Sequence, residues 1–171
     1  ITLVRLHRQD GNQAAVISEL QRLVASAPDY APGHSMLADE LVSMGRASEA
    51  ALVLISASER FENDPTWQRR IGRIAQSRGD TDRAINAYLA ALQISKDPID
   101  QIRLVDVLLN SGRAPQALAI LNMETELDPE LPGIIATRGQ ALVQSGQAQE
   151  GMDAFDRALE RSENVDTIIN V

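Results

Sequence analysis

Five glycines divide this chain into near-equal parts. Gly11, Gly45, Gly79, Gly112 and Gly146 are separated by 34, 34, 33 and 34 residues. Around them the side chains repeat in kind. Val16, Ala50, Ala84, Ala117 and Gly151 stand five residues after the glycines, and Leu20, Leu54, Tyr88, Leu121 and Phe155 stand nine after. Twelve after come Leu23, Ala57, Ala91, Glu124 and Ala158; seven before the last four glycines come Ala38, Gly72, Val105 and Gly139. Between Thr66 and Pro98 the pattern is plainest. Ile71, Gly72, Ile74 and Ala75 form one set, and Ala84, Ile85, Tyr88, Ala91 and Leu92 form a second, on either side of Gly79-Asp80. Steps of three and four put each set on one stripe of a helix. Each period therefore reads as two amphipathic helices joined by a tight turn. Neither helix can bury its stripe alone, so the pairs must stack, and Gly72, Ala84 and Ala91 mark where backbones approach closely.

A small residue, a bulky one and another small one at these offsets resemble the tetratricopeptide repeat, over nearly the whole chain. The resemblance implies an all-α, right-handed solenoid of helix–turn–helix units forming a single domain over 1–171. Its expected units are 1–28, lacking an opening turn, then 31–62, 64–96, 97–129 and 131–163. Pro32 suits a first helical turn, and Asp64-Pro65 and Asp97-Pro98 each offer a capping carboxylate followed by proline. Residues 164–171 read as the start of a sixth unit. Ile168, Ile169 and Val171 would then lie on a helix without a companion. The expectation is a segment of a longer solenoid whose apolar end faces favour end-to-end self-association of copies.

Composition agrees with stacked helices. Hydrophobic residues make up 44% of the chain but aromatics only 3%, so the core is aliphatic and small. The net charge of −8 disfavours nucleic acid, because binding to phosphates rests on positive charge. It argues, with the small-residue pattern, against an RNA-reading pentatricopeptide array. No apolar run is long enough for membrane insertion as a helix. The chain has no cysteine, which excludes disulfides and thiolate metal sites. Fifteen arginines against one lysine suggest a bacterial source.

Catalytic signals are absent from the pattern. His7 and His34, the two histidines, fall at offsets that face neighbouring helices. Asp39-Glu40 and the pair Asp153 and Asp156 read as solvated helix faces. The glycines are single turn residues rather than a phosphate cradle, and no nucleophile, base and orienting group occur together. Trp67 and its neighbour Phe61 read as packing residues. The expectation is a chain without cofactor or enzymatic activity of its own.

Function then rests on what the resemblance implies: the first helix of each unit lines a concave surface that holds a peptide or helix of another protein. On the third unit this face comprises Arg69, Arg70, Arg73, Gln76 and Ser77; on the fourth, Ile99, Ile102, Arg103, Asp106 and Leu109. The first offers Arg5, Arg8 and Gln9, the second Ser35, Met36, Asp39 and Val42, and the fifth Ala136, Thr137, Gln140, Val143 and Gln144. Arginine forks match carboxylates, and an aliphatic strip suits side chains alternating with acids, so the expected ligand is acidic and aliphatic. A competing expectation is a structural ladder. Arg5, Asp39, Arg73, Asp106 and Gln140 stand six residues before successive glycines and could pair between units.

Two special forms of the family do not match. The two-carboxylate clamp would need asparagine where Arg103 stands and basic residues at Gly133 and Thr137. An asparagine ladder would need asparagine at Thr2, Met36, Arg70, Arg103 and Thr137. An alternative role is that of a non-catalytic, partner- or substrate-recruiting arm of a larger bacterial enzyme or polysaccharide-secretion protein.

Overall fold

A computed structural model describes residues 2–123 and 128–169, with side chains described at 3–123 and 128–162. Glu124, Leu127 and Val171, and the side chains of Glu163, Ile168 and Ile169, lie outside the described residues. Among those described, ten helices and no strand occur: α1 (Thr2–Gln9), α2 (Gln13–Ser26), α3 (Ala31–Ser43), α4 (Ala47–Arg60), α5 (Pro65–Ser77), α6 (Thr81–Ser95), α7 (Pro98–Asn110), α8 (Ala114–Leu121), α9 (Pro132–Gln144) and α10 (Ala148–Ile169).

The turn glycines end the first helix of every pair in the same way. At Gly79, φ is 72°, a left-handed conformation that costs a residue with a Cβ about 1–2 kcal/mol. The Gly79 amide donates to the Gln76 carbonyl (3.1 Å) and the Asp80 amide to the Ala75 carbonyl (2.9 Å). This is the Schellman arrangement, which satisfies carbonyls that the helix end leaves open. The same pair of bonds recurs at Gly11, Gly45, Gly112 and Gly146. At α5 and α7 a side chain caps the start. Asp64 accepts from the Thr66 amide (2.9 Å) and Asp97 from the Ile99 amide (2.8 Å), each just ahead of a proline in the first helical turn.

Contacts gather the chain into two compact units, Ile1–Ile94 and Ser95–Val171. In the first, the repeated stripe is the core: Val16, Leu20, Ala38, Ala50, Leu54 and Ala57 are fully buried. Gly72 lets the Tyr88 ring lie directly on α5; a Cβ there would stand 2.8 Å from Tyr88 Cε1. Phe61 and Trp67 stack at 5.5 Å, with the buried His34 ring edge-on to both. His34 Nε2 donates to the Pro28 carbonyl at 2.8 Å, so this histidine is a packed core residue.

In the second unit, Leu104, Val105, Leu108, Ala117 and Ile135 are buried. Asp100 and Gln101 are buried with them and are satisfied: Ser95 Oγ donates to Asp100 (2.7 Å), and Gln101 Nε2 donates to the Ile120 carbonyl (2.6 Å). The connector before α7 has only two residues, Lys96 and Asp97, where the connectors before α3 and α5 have four. Among the described residues Lys96 is the one non-glycine with positive φ, at 51°. α10 continues without a break through Ile169, across the point where the sequence suggests a new unit begins. No proline follows Ala148, so nothing there stops the helix as Pro28 stops α2.

Candidate functional site

The face expected to bind ligand is built outward from α5. Trp67, Ile71 and Ala75 are buried on one side of this helix, which turns Arg69, Arg70, Arg73 and Gln76 to other sides. These four differ in what holds them. Arg70 reaches α3, where its Nη1 donates to Ser35 Oγ and its Nη2 to the Ser35 carbonyl (3.3 Å) and to Asp39 Oδ1. Only 12% of its side chain is exposed. Burial disfavours its charged form; Asp39 opposes that shift, and the like charge of Arg73 adds to it.

Arg73 itself is exposed, and among the described residues it has no acidic partner. Arg69 is half-buried and engaged by a neighbouring group. The Gln76 side-chain oxygen Oε1 accepts from the Tyr88 hydroxyl at 3.2 Å, so the core anchors its outer end.

Pairing between helices therefore exists, but not at equal offsets. Asp39, six residues before its glycine, pairs with Arg70, nine before its own. The shift of three residues is close to one helical turn. On α1, Arg8 pairs with the buried Glu40 at 2.7 Å. Neither Arg5 nor Arg73 forms an ion pair among the described residues, so the expected ladder through Arg5, Asp39 and Arg73 is not what these helices make.

On α7 the face is mixed. Ile99 and Ile102 are exposed, and Arg103 is exposed without an acidic partner among the described residues. Asp106 lies at the surface, yet partial desolvation raises its carboxyl above the usual range. Leu109, expected on the binding wall, is instead buried in the core beside Leu108, because the last turn of α7 is closed in on that side. On α9, Gln140 and Val143 are exposed, whereas Thr137 turns its hydroxyl back to the Gly133 carbonyl (2.8 Å).

An open cleft of about 570 Å³ in the first unit lies elsewhere, lined by Ile55, Ser58, Gln68, Ile71, Asp80, Arg83, Asn86 and Ala87. None of the four α5 residues above lines it. Its polar members come from α4, α5, α6 and the turn at Asp80, at unrelated offsets, which is why the repeat pattern gave no sign of it. Among the described residues no three His, Cys, Asp or Glu side chains could hold a metal together. No described helix is long and apolar enough to cross a membrane.

Residues 35–98, which include the turn glycines Gly45 and Gly79, match the tetratricopeptide repeat family model. That stretch resembles tetratricopeptide repeats, and the described helices on either side of it continue the same helix–turn–helix pattern. No curated protein matches the sequence. Solved structures show the same all-α repeat fold. A crystal structure of MamA superposes with a TM-score of 0.69 over 96% of this chain and 97% of that one, at 16% identity. MamA 41-end from Desulfovibrio magneticus RS-1 gives 0.62 over 76% of this chain and 74% of its own, at 21% identity. A putative kinesin light chain of Podosopora anserina, with nearly identical TPR-like repeats, gives 0.61 over 97% and 93%, at 17% identity. At these identities the likeness concerns the fold alone. The role that the matched repeats support is a scaffold for protein–protein interaction, a module that is typically non-catalytic.

Proposed function

We propose that the chain binds an acidic, aliphatic peptide or helix of a partner protein through the faces of its first helices. In the first unit Arg73 takes a carboxylate; in the second, Arg103 takes a carboxylate and Ile99 and Ile102 take apolar side chains. The observation that carries this reading is the state of Arg73 and Arg103. In a chain of net charge −8, both are exposed and neither has an acidic partner among the described residues. A guanidinium left open to solvent can meet a carboxylate without first breaking an internal pair. Arg70 supports the face instead of contacting ligand, since its donors already serve Ser35 and Asp39. Because packed helices hold the receptor surface in place, a flexible ligand bears most of the ordering cost.

The test is a binding titration of labelled peptides that alternate glutamate and leucine, with lysine-for-glutamate versions as controls. Arg73→Glu with Arg103→Glu should abolish binding of the acidic peptides and leave the circular dichroism spectrum unchanged. Equal binding of acidic and basic peptides, or unchanged affinity in the double variant, would refute the assignment.

A further inference from the structure

The cleft in the first unit lies where this helix pair carries less bulk than its counterparts. Thirteen residues after their turn glycines, α2 and α6 carry Val24 and Leu92, whereas α4 carries Ser58. Eight after, α4 and α8 carry Val53 and Ile120, whereas α6 carries Ala87. Both Ser58 and Ala87 line the opening, and its floor stays aliphatic, with Ile71 and Ala87 buried and Ile55 half-buried.

The polar lining is left open. Eleven residues before their glycines stand His34, Gln68, Gln101 and Ile135. All but Gln68 are buried, and Gln101 donates to the Ile120 carbonyl (2.6 Å) on the second helix of its own pair. Gln68 carries the same amide at the same offset, yet it is half-buried and its side chain has no hydrogen bond among the described residues. It lines the cleft with Asn86, whose amide is likewise unengaged among them. Charge divides in the same way. One and four residues after Gly45, Arg46 and Glu49 hold each other through two bonds of 2.6 Å. After Gly79 the signs are reversed. Asp80 accepts from the Arg83 backbone amide (3.3 Å) at the start of α6, while the Arg83 guanidinium is exposed and has no acidic partner among the described residues.

These groups together select an occupant. A primary amide presents donors and an acceptor, the complement of a peptide unit, and two of them border an aliphatic floor. The guanidinium beside them matches a carboxylate. We infer that the cleft binds an extended peptide segment of a partner protein in which a branched aliphatic side chain stands beside a carboxylate. The aliphatic group fills the space beside Ser58 and Ala87, the peptide units meet Gln68 and Asn86, and the carboxylate meets Arg83. This site is separate from the first-helix faces and does not depend on them.

An NMR titration of the 171-residue chain tests this, read at the side-chain amide signals of Gln68 and Asn86. The probe is the peptide Gly-Leu-Glu-Gly, blocked at both ends so that glutamate supplies its one charge. Both amide signals should shift and saturate together, and versions with alanine for leucine or lysine for glutamate should bind about tenfold more weakly or worse. Ser58→Leu restores the bulk that Leu92 supplies in the next pair, so it should block binding while the melting temperature holds or rises. Arg83→Glu, at an exposed position, should keep the fold and reverse the preference between the glutamate and lysine peptides. Arg73→Glu with Arg103→Glu should leave this titration unchanged, which separates the cleft from the faces proposed above. Unmoved amide signals, equal binding of the three peptides, affinity that survives Ser58→Leu or Arg83→Glu, or loss of binding in the Arg73 and Arg103 double variant would overturn the proposal.

Discussion

The helices α5 and α7 both carry an arginine nine residues before the turn glycine, Arg70 and Arg103, and the two meet different surroundings. Arg70 is held by Ser35 and Asp39 on the preceding first helix, which stand ten and six residues before Gly45. One repeat later those two offsets are occupied by Arg69 and Arg73, and Arg103 is exposed. Equivalent position thus does not confer equivalent role. What decides it is the residue three places off in the unit before. An arginine preceded there by an acid becomes part of the scaffold; one preceded by another arginine stays available.

Substitution at Arg70 should separate the two most widely. Arg70→Met removes three donors to Ser35 and Asp39 and leaves their oxygens unanswered. A loss of about 1–3 kcal/mol in denaturant unfolding is expected, with the slope unchanged. A neutral result would erase the distinction drawn here. Asp39→Asn keeps the shape but removes the countercharge, and should cost roughly 0.5–1 kcal/mol, because the carboxylate is well exposed. Arg73→Met and Arg103→Met should stay within about 0.5 kcal/mol of wild type while weakening the acidic peptides. If either destabilised the chain as Arg70→Met does, it would belong to the scaffold too.

The smallest effect is expected at Asp106, and its sign follows from desolvation. The folded-state pKa of its carboxyl is raised, so protonation favours the folded chain. The stability this group contributes is present below its unfolded value of about 3.9 and is lost as pH rises through the folded value. Asp106→Asn should therefore melt slightly above wild type at neutral pH, and the two curves should converge in acid.

Much of this was readable from residue order. The glycine spacing placed every helix pair, because each turn needs the same left-handed residue and the same two hydrogen bonds. His34 could be assigned to the interior because its offset faces a neighbouring helix, and Trp67 and Phe61 could be read as packing residues beside it. The stagger between adjacent first helices could not be read this way. Equal offsets suggested a ladder through Arg5, Asp39 and Arg73, whereas Asp39 meets Arg70 one turn away. Leu109 misled for a related reason: a groove offset says nothing about how closely a helix end is covered. Buried polar residues such as Asp100 and Gln101 also left no trace, since their partners, Ser95 and the Ile120 carbonyl, belong to neighbouring segments rather than to the repeat.

The short connector at Lys96-Asp97 records how this architecture tolerates a missing residue. Pro98 still stands fourteen residues before Gly112, as Pro65 stands before Gly79, although the interval between the two glycines is one residue short. The connector is two residues shorter and α6 one residue longer than α2 and α4, and the shortened joint places Lys96 in a backbone conformation usually left to glycine. Insertions and deletions should therefore collect at these joints in related chains. The joints are also where an engineer could splice a tag or a whole hairpin without disturbing the interior lattice of side chains.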